Sequence, residues 1–303
     1  MDVPQSGIFA LGTPAHAYLE FDASVGTNPK DLAAAVISFA EAQTMANGSE
    51  VVVGFRPELW RGVARDDAPD DVAGYAEPIV GVEGFVMPAT QHDAVIWIAS
   101  AAYDLVFDLS SMAISALTKV ATLADETVGW PYYHKHDLTG FIDGTENPPV
   151  VDVASVALIP SGRPGAGGSV LLLQKWIHDT AKWTALSADA QANVIGRTKA
   201  ESIELEDKPR DSHVARTDQD EFGRILRRNM PFGKASVHGT MFVGFCASQR
   251  PLAGMLDSMA GRTNGVRDAL TRFLQPISGS YYFVPALTSL SRVASHATTS
   301  APG

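Results

Sequence analysis

The chain has 303 residues, of which 46% are hydrophobic and 19% are charged, so it can bury a large core and still enclose a cofactor. Its formal net charge of -11 argues against a nucleic-acid-binding protein, because a phosphate-binding surface needs clustered Lys and Arg. The single cysteine, Cys246, excludes an intrachain disulfide, and its apolar neighbours favour a small core residue over a reactive thiol.

The N-terminal residues 1–10 contain neither a basic segment nor a long apolar stretch. A secretory leader and a membrane anchor both need a long apolar stretch. We therefore expect a cytoplasmic protein without a membrane partner.

The first half of the chain alternates between predicted strands and helices. Three alternating or β-branched runs predict strands, at 17–22, 51–55 and 94–99. Between the first two, Asn28 can cap a helix, because Pro29 suits a first turn and apolar residues then recur at helical spacing. A second helix is predicted at about 104–117.

The second half repeats this order. Its apolar runs predict strands at 169–177, 240–247 and 281–284. Helices are predicted at about 187–196, 252–259 and 267–273, the first of them capped by Ser187.

A β-α-β order in each half predicts an α+β fold of two ferredoxin-like units, each an antiparallel sheet with helices on one face. The join falls in 130–150, which is rich in Gly, Pro and polar residues. We therefore expect an N-terminal half at 1–135, a C-terminal half at 136–294 and a loose tail at 295–303.

Asp143 lies in the first segment that could carry chemistry, the sequence GFIDGTENP at 140–148. Because Gly140 and Gly144 bracket it, the backbone can turn sharply and approach a ligand. A rigid loop between two halves is a suitable place for a buried acid or base. The alternative is an ordinary turn in which the aspartate caps the backbone.

His213 lies in the second segment, and no zinc motif of the HExxH or CxxC kind accompanies it. A lone histidine ligand suits haem, since the porphyrin supplies four nitrogens and the protein need supply only one. A surface or structural histidine is the alternative, and sequence distance leaves His238 open as a second candidate.

Arg227 and Asn229 lie in the third segment, LRRNMPFG. Because they are two residues apart, both point to one side of an extended segment. An arginine and an amide directed into one cavity could hold an anionic or peroxo ligand. Exposed charge on a loop is the alternative.

Together, GFIDGTENP, Ser-His at 212–213 and RxNMxFG at 227–233 closely resemble the dye-decolourising peroxidase family over nearly the whole chain. The compact length and the RxNMxFG motif resemble the bacterial B type. The resemblance implies one haem b per chain, held mainly by the second half.

The resemblance also implies a role for each of five residues. His213 becomes the proximal axial ligand of the haem iron, and Asp268 the carboxylate that accepts a hydrogen bond from it. Asp143 becomes the distal acid/base or water-positioning residue. Arg227 becomes the distal arginine beside the haem, and Asn229 the second distal polar group. Here Arg228 stands where relatives often have an acidic residue, which would alter the potential near Arg227.

The function implied is that of a peroxidase, in which hydrogen peroxide is the oxidant and a ferryl intermediate oxidises dyes, phenolics or other bulky one-electron donors. We also expect a homo-oligomer. A role as cargo of a protein shell gains no support, because 295–303 contains no recognisable docking peptide. The alternatives are a haem storage, transport or chlorite-dismutase-like protein and a ferredoxin-like binding module without haem.

Overall fold

The computed structural model describes residues 2–10, 12–43, 48–133 and 135–299. The strands are β1 (Ala15–Ala23), β2 (Glu50–Phe55), β3 (Ile79–Val80), β4 (Val86–Met87), β5 (Ala94–Ser100), β6 (Ala121–Gly129), β7 (Ser169–His178), β8 (Leu226–Lys234), β9 (Val237–Cys246), β10 (Leu274–Pro276) and β11 (Ser280–Val284). The helices are α1 (Pro29–Gln43), α2 (Pro57–Val63), α3 (Tyr103–Leu117), α4 (Val153–Ala157), α5 (Thr180–Thr184), α6 (Ala188–Ile195), α7 (His213–Arg216), α8 (Gln219–Phe222), α9 (Gln249–Met259) and α10 (Leu287–Thr299).

One antiparallel sheet organises the fold, with the strand order β10-β7-β11-β2-β5-β1-β6-β8-β9. Because β9 also pairs with β7, the sheet closes into a barrel-like ring. The short strand β10 pairs with the C-terminal end of β7, and β11 pairs with the N-terminal part of β7. The two halves meet at Phe55 with Phe283 and at Gly129 with Phe232. The α+β class and the antiparallel pairing agree with the sequence prediction, and hydrogen bonds at both seams join the strands of the two halves into one sheet.

Alternation along each strand gives the ring a filled interior and a covered exterior. Tyr18, Trp97, Leu171 and Met241 are buried inside the ring. On the outer face of the first half, α1 and α3 pack against the strand residues that alternate with the inward-facing ones, such as Leu19 next to Tyr18. The second half covers its outer face with α9 but leaves a large cavity there.

Local signals account for several helix boundaries. Oδ1 of Asn28 accepts a hydrogen bond from the backbone N of Lys30 at the start of α1. Ser187 Oγ caps α6, which ends at Gly196 in the left-handed conformation with φ +94°. Cys246 is 4% exposed and packs in the core, as predicted.

Two predicted elements differ in the structure, and one strand was not predicted. The helix expected at 267–273 is a single 3₁₀ turn, Ala269–Arg272. The strand β6 was not predicted, because polar and charged residues interrupt its apolar alternation. The tail expected at 295–303 is helical up to Thr299, since α10 continues to that residue, and its last four residues lie outside the described part of the chain. Over the described residues, no helix has the length and apolarity needed to cross a membrane.

Candidate functional site

A cavity opens on the outer face of β7, β8 and β9, beneath α9. It encloses about 1730 Å³ of space, part of it open to solvent, and all of its described lining residues lie between 137 and 274. Its walls are mainly apolar, formed by Leu172, Trp176, Ile195, Phe242, Leu252, Met255, Leu256, Met259, Leu270 and Leu274. A cavity of this kind, with a few convergent polar groups, is typical of a cofactor site.

Asp143 is the centre of a polar cluster on one wall. Its Oδ1 accepts hydrogen bonds from Nη1 of Arg227 over 3.1 Å and from Nδ2 of Asn229 over 2.7 Å. Its Oδ2 accepts the backbone N–H of Asn229 over 2.9 Å. The prediction that the Arg227 and Asn229 side chains point to one side of an extended segment is therefore confirmed, because both lie on the cavity side of β8 with Asp143.

The loop that carries Asp143 is fixed at both ends. Gly140 and Gly144 adopt φ values of +85° and +73°, a region that favours glycine. Asn147 then binds the loop to β8, because its amide donates to the carbonyl of Arg227 and accepts from the backbone N of the same residue, each over 2.8 Å. The sequence pattern alone did not identify this clamp.

His213 lines the same cavity from α7, where Ser212 Oγ caps the helix. Its Nδ1 lies 2.7 Å from Oδ2 of Asp268, whose other oxygen accepts the backbone N–H of Leu270. A carboxylate can only accept, so Nδ1 carries the proton and Nε2 is left with its lone pair. Asp268 is completely buried, which fixes the orientation of the imidazole.

His238, the other candidate, does not line the cavity. Its Nε2 lies 2.6 Å from the hydroxyl of Thr180, and its Nδ1 lies 3.2 Å from the carbonyl of Lys234. Both ring nitrogens are thus occupied by structural contacts.

Charged side chains of both signs line the cavity: two cations, Arg197 and Lys208, and the carboxylates of Glu146, Glu204, Asp218 and Asp220 in addition to those already described. Arg197 contacts Glu146 and also lies 3.3 Å from Glu204, which in turn contacts Lys208. The side chain of Arg197 is 11% exposed and also donates to the carbonyl of Ser202 over 2.7 Å. Both of these cations are therefore paired with carboxylates.

Among the polar residues that line the cavity and were not predicted from the sequence, Asp137 and Gln174 stand out. Asp137 lines it near Asp143, and burial, with a smaller contribution from the charge of Asp143, raises the pKa of Asp137 to about 6. Gln174 is 1% exposed, and its Nε2 has no hydrogen-bond partner among the described residues. Gln174 is two residues from both Leu172 and Trp176 on β7, so the alternation of side chains along the strand could have placed it on the same face as these two residues.

The side chain of Arg228 lies on the opposite face of β8 from that of Arg227, but its charge still interacts with Asp143, so the expected effect on the local potential stays a prediction. Its guanidinium points into the ring, where it lies 4.7 Å from the ring centre of Trp97. It donates to the carbonyls of Ala10 and Ile8, the latter over 2.6 Å. Burial lowers the pKa of Arg228 from its usual value. Adjacent strand residues face opposite sides, so Arg228 is part of the ring interior.

The donor set fits a planar ligand that brings most of its own metal ligands. Across the described ranges, no three His, Cys, Asp or Glu side chains are grouped so that they could hold a metal ion. One imidazole nitrogen faces an apolar cavity, and a carboxylate–arginine–amide cluster lies on the wall of the same cavity. These residues suit a porphyrin, which needs one strong axial bond and apolar walls.

Comparison with known proteins agrees with this geometry. The family model described as "Dyp-type peroxidase, C-terminal" matches residues 134–289. The chain is 33% identical to the dye-decolorizing peroxidase of Mycolicibacterium paratuberculosis, over 93% of this chain and 84% of that protein.

Two solved structures from Rhodococcus jostii RHA1 are similar over nearly the full length. DyPB superposes with a TM-score of 0.83 at 33% identity, covering 95% of this chain and 97% of that one. A DypB variant in complex with heme gives a TM-score of 0.82 at 33% identity, covering 92% of this chain and 95% of that one.

Proposed function

The chain belongs to the dye-decolourising peroxidase family, bacterial type B, and we propose that this haem peroxidase uses hydrogen peroxide to oxidise bulky one-electron donors such as dyes and phenolics. The observation that carries the proposal is that the His213–Asp268 pair and the cluster of Asp143, Arg227 and Asn229 face one apolar cavity. Because a bulky donor cannot enter a filled cavity, it would give up its electrons outside.

His213 would bind the haem iron through Nε2, since Nδ1 is engaged by Asp268. The apolar walls would hold the porphyrin faces, and Arg197 and Lys208 of the cavity lining are the cations available to its two propionates. When bound, haem supplies the redox chemistry by taking two oxidising equivalents from peroxide and passing them on singly. The ferryl intermediate implied by the family resemblance stays a prediction.

The polar cluster would handle the proton and the charge of peroxide. Oδ2 of Asp143 accepts one hydrogen bond and keeps a lone pair for a proton, so it can take a proton from one peroxide oxygen and return it to the other. The guanidinium of Arg227 stabilises negative charge on the departing oxygen. Asn229 holds Asp143 in place through two hydrogen bonds.

The finer architecture and setting also belong to the proposal. Each half contributes four main strands, which are β1, β2, β5 and β6 in the first half and β7, β8, β9 and β11 in the second. Numbered one to four along the chain, both sets lie side by side in the order 4-1-3-2, as β6-β1-β5-β2 and β11-β7-β9-β8. This order supports two ferredoxin-like units, at 1–135 and 136–294. We further propose a cytoplasmic homo-oligomer that is not the cargo of a shell.

The absorption spectrum of the purified protein with haem tests the proposal. We expect a Soret band, a rapid change in that band after one equivalent of peroxide, and its return when a phenolic donor is added. A missing Soret band would favour a binding module without haem. A stable Soret band that peroxide leaves unchanged would favour haem storage or transport.

A further inference from the structure

Asp137 and Asp143 lie on the same face of a short antiparallel ladder. His136 pairs with Ile142, and this pair is flanked by hydrogen bonds from Asp137 N to the Phe141 carbonyl and from Asp143 N to the Lys135 carbonyl. Asp137 is therefore opposite Phe141 and diagonal to Asp143. Diagonal neighbours of this kind are about 7–8 Å apart, so water can bridge their carboxyl groups.

The hydrogen bonds of Asp137 leave one oxygen for the cavity. Its Oδ1 accepts the backbone N–H of Thr139 over 2.7 Å and also the Thr139 hydroxyl. Among the residues that the structure describes, Oδ2 has no hydrogen-bond partner, and the side chain lines the cavity. The turn thus holds Asp137 in one orientation while a proton-binding oxygen stays free.

The charged groups around Asp137 favour a carboxyl that changes protonation near neutral pH. Burial raises the pKa of Asp137 to about 6, the charge of Asp143 acts in the same direction, and Arg227 opposes it. Lys199 contacts the same turn, with Nζ 5.9 Å from the ring centre of Phe141. His136, next in the chain, directs Nδ1 to the carbonyl of Tyr133 instead.

The proposed reaction needs protons as well as electrons inside the cavity. One peroxide, two electrons from two donor molecules and two protons give two molecules of water. Asp143 can move a proton between the two peroxide oxygens, but this transfer adds no proton to the cavity. Donors that give up electrons outside the cavity leave their protons outside, so the two protons must cross the protein.

We propose that Asp137 is a proton-transfer residue that takes protons from the solvent side and passes them through water to Asp143 and the bound oxygen while donors are oxidised. This inference rests on the proposed peroxidase function. Each proton that leaves Asp137 is replaced from solvent, so the residue is unchanged after a turnover.

Infrared difference spectra of the haem-loaded protein test Asp137 without measuring activity. We expect the carbonyl stretch of a protonated carboxyl to disappear as the pH rises through about 6. This band should be lost in Asp137→Asn, which keeps the acceptor for Thr139, and kept in the surface control Asp108→Asn. A wild-type protein without such a band, or a variant that retains it, would overturn the proposal.

Kinetics then separate proton supply from the reaction with peroxide. In Asp137→Asn we expect the change in the Soret band with peroxide to stay within about twofold, while turnover of a bulky phenolic donor falls at least roughly tenfold. In wild type, turnover should fall as the pH rises through about 6, when Asp137 loses its proton, and this fall should be absent in Asp137→Asn. Turnover and a pH profile equal to those of wild type would overturn the relay, even though the protein remains a peroxidase.

A third variant covers a failure of Asp137→Asn to fold. Asp137→Glu retains the carboxyl on a longer side chain. The infrared titration and the fall in turnover with rising pH should therefore persist, with a shifted midpoint. Identical midpoints in Asp137→Glu and wild type would contradict the assignment. If wild type itself binds no haem or does not react with peroxide, the proposed function fails and the relay fails with it.

Discussion

Nδ1 of His213 donates to Oδ2 of Asp268 over 2.7 Å, and the accepting carboxylate is completely buried while the imidazole is partly exposed to the cavity. A buried carboxylate makes the imidazole more electron-donating toward a metal on its other nitrogen. The negative charge of Asp268, which solvent cannot reach, therefore acts through one hydrogen bond on the imidazole that lines the cavity.

Replacing Asp268 with asparagine removes this charge but keeps the side-chain shape. We expect Asp268→Asn to raise the reduction potential of the bound haem and to weaken haem affinity by roughly 10–100-fold. Spectroelectrochemical titration measures the potential. Asp211→Asn is the matched control, since the side chain of Asp211 is half-buried, pairs with Arg272 and does not line the cavity. An unchanged potential in Asp268→Asn would remove this residue from the tuning of the iron.

His213→Ala should lose the axial bond and, with it, most haem binding. The cavity presents no second free imidazole within the described ranges, so external imidazole should partly restore the Soret band. His238→Ala should keep the wild-type spectrum because both of its ring nitrogens are engaged elsewhere. If the two results were exchanged, His238 would be the ligand.

Arg227→Ala should bind haem normally but react slowly with peroxide. Loss of one preorganised donor to developing charge typically lowers a rate by roughly 10²–10³-fold. Stopped-flow absorption after one equivalent of peroxide measures the step. A rate equal to that of wild type would show that Asp143 and Asn229 suffice without the guanidinium.

Arg228→Ala, unlike Arg227→Ala, should mainly lower the stability of the fold. The change leaves the carbonyls of Ile8 and Ala10 without their donor and opens a space beside Trp97, so the free energy of unfolding should fall by about 2–4 kcal/mol. Urea unfolding followed by tryptophan fluorescence gives the value. The peroxide reaction of the folded variant should be slowed far less than in Arg227→Ala, because the Arg228 side chain faces the interior of the ring and acts on Asp143 only through its charge.

His16 should make the fold sensitive to acid. It is fully buried, accepts a hydrogen bond from the Trp97 indole over 3.2 Å, and has its pKa lowered to about 4, chiefly by burial. The folded protein therefore binds fewer protons than the unfolded chain between about pH 4 and 6.5, so stability falls as the pH falls through this window.

Unfolding free energies at several pH values measure this effect. His16→Gln, which can still accept from Trp97, should flatten the slope relative to wild type. The contributions of His178, also lowered to about 4, and of Asp137, raised to about 6, cancel in the difference. Parallel curves for the two proteins would contradict the prediction.

Much of the candidate site follows from local rules. Two glycines around Asp143 predict a rigid turn, and the spacing of Arg227 and Asn229 predicts one shared face; the structure brings the three side chains within hydrogen-bond distance. The same rule places the Arg228 side chain on the opposite face, inside the ring, while its charge still interacts with Asp143.

Other features depend on contacts that no local pattern contains. The seam between Phe55 and Phe283 joins segments from the two ends of the chain. Asp125 of the polar strand β6 contacts Lys175 of β7, a strand that is not its neighbour in the sheet. Asp137 resembles an ordinary turn aspartate, and only the fold around it encloses its carboxyl in the cavity.

Closure of the sheet limits how the chain can be divided. Alone, the first half would expose the edges of β2 and β6, and the second half those of β8 and β11, each beside an apolar face that the other half normally covers. Unpaired edges of this kind template aggregation. The second half contains every described residue of the cavity wall, but we expect it to aggregate when expressed alone because its edges would be unpaired. Gene fusions and circular permutations should therefore keep both seams intact and place new termini in surface loops.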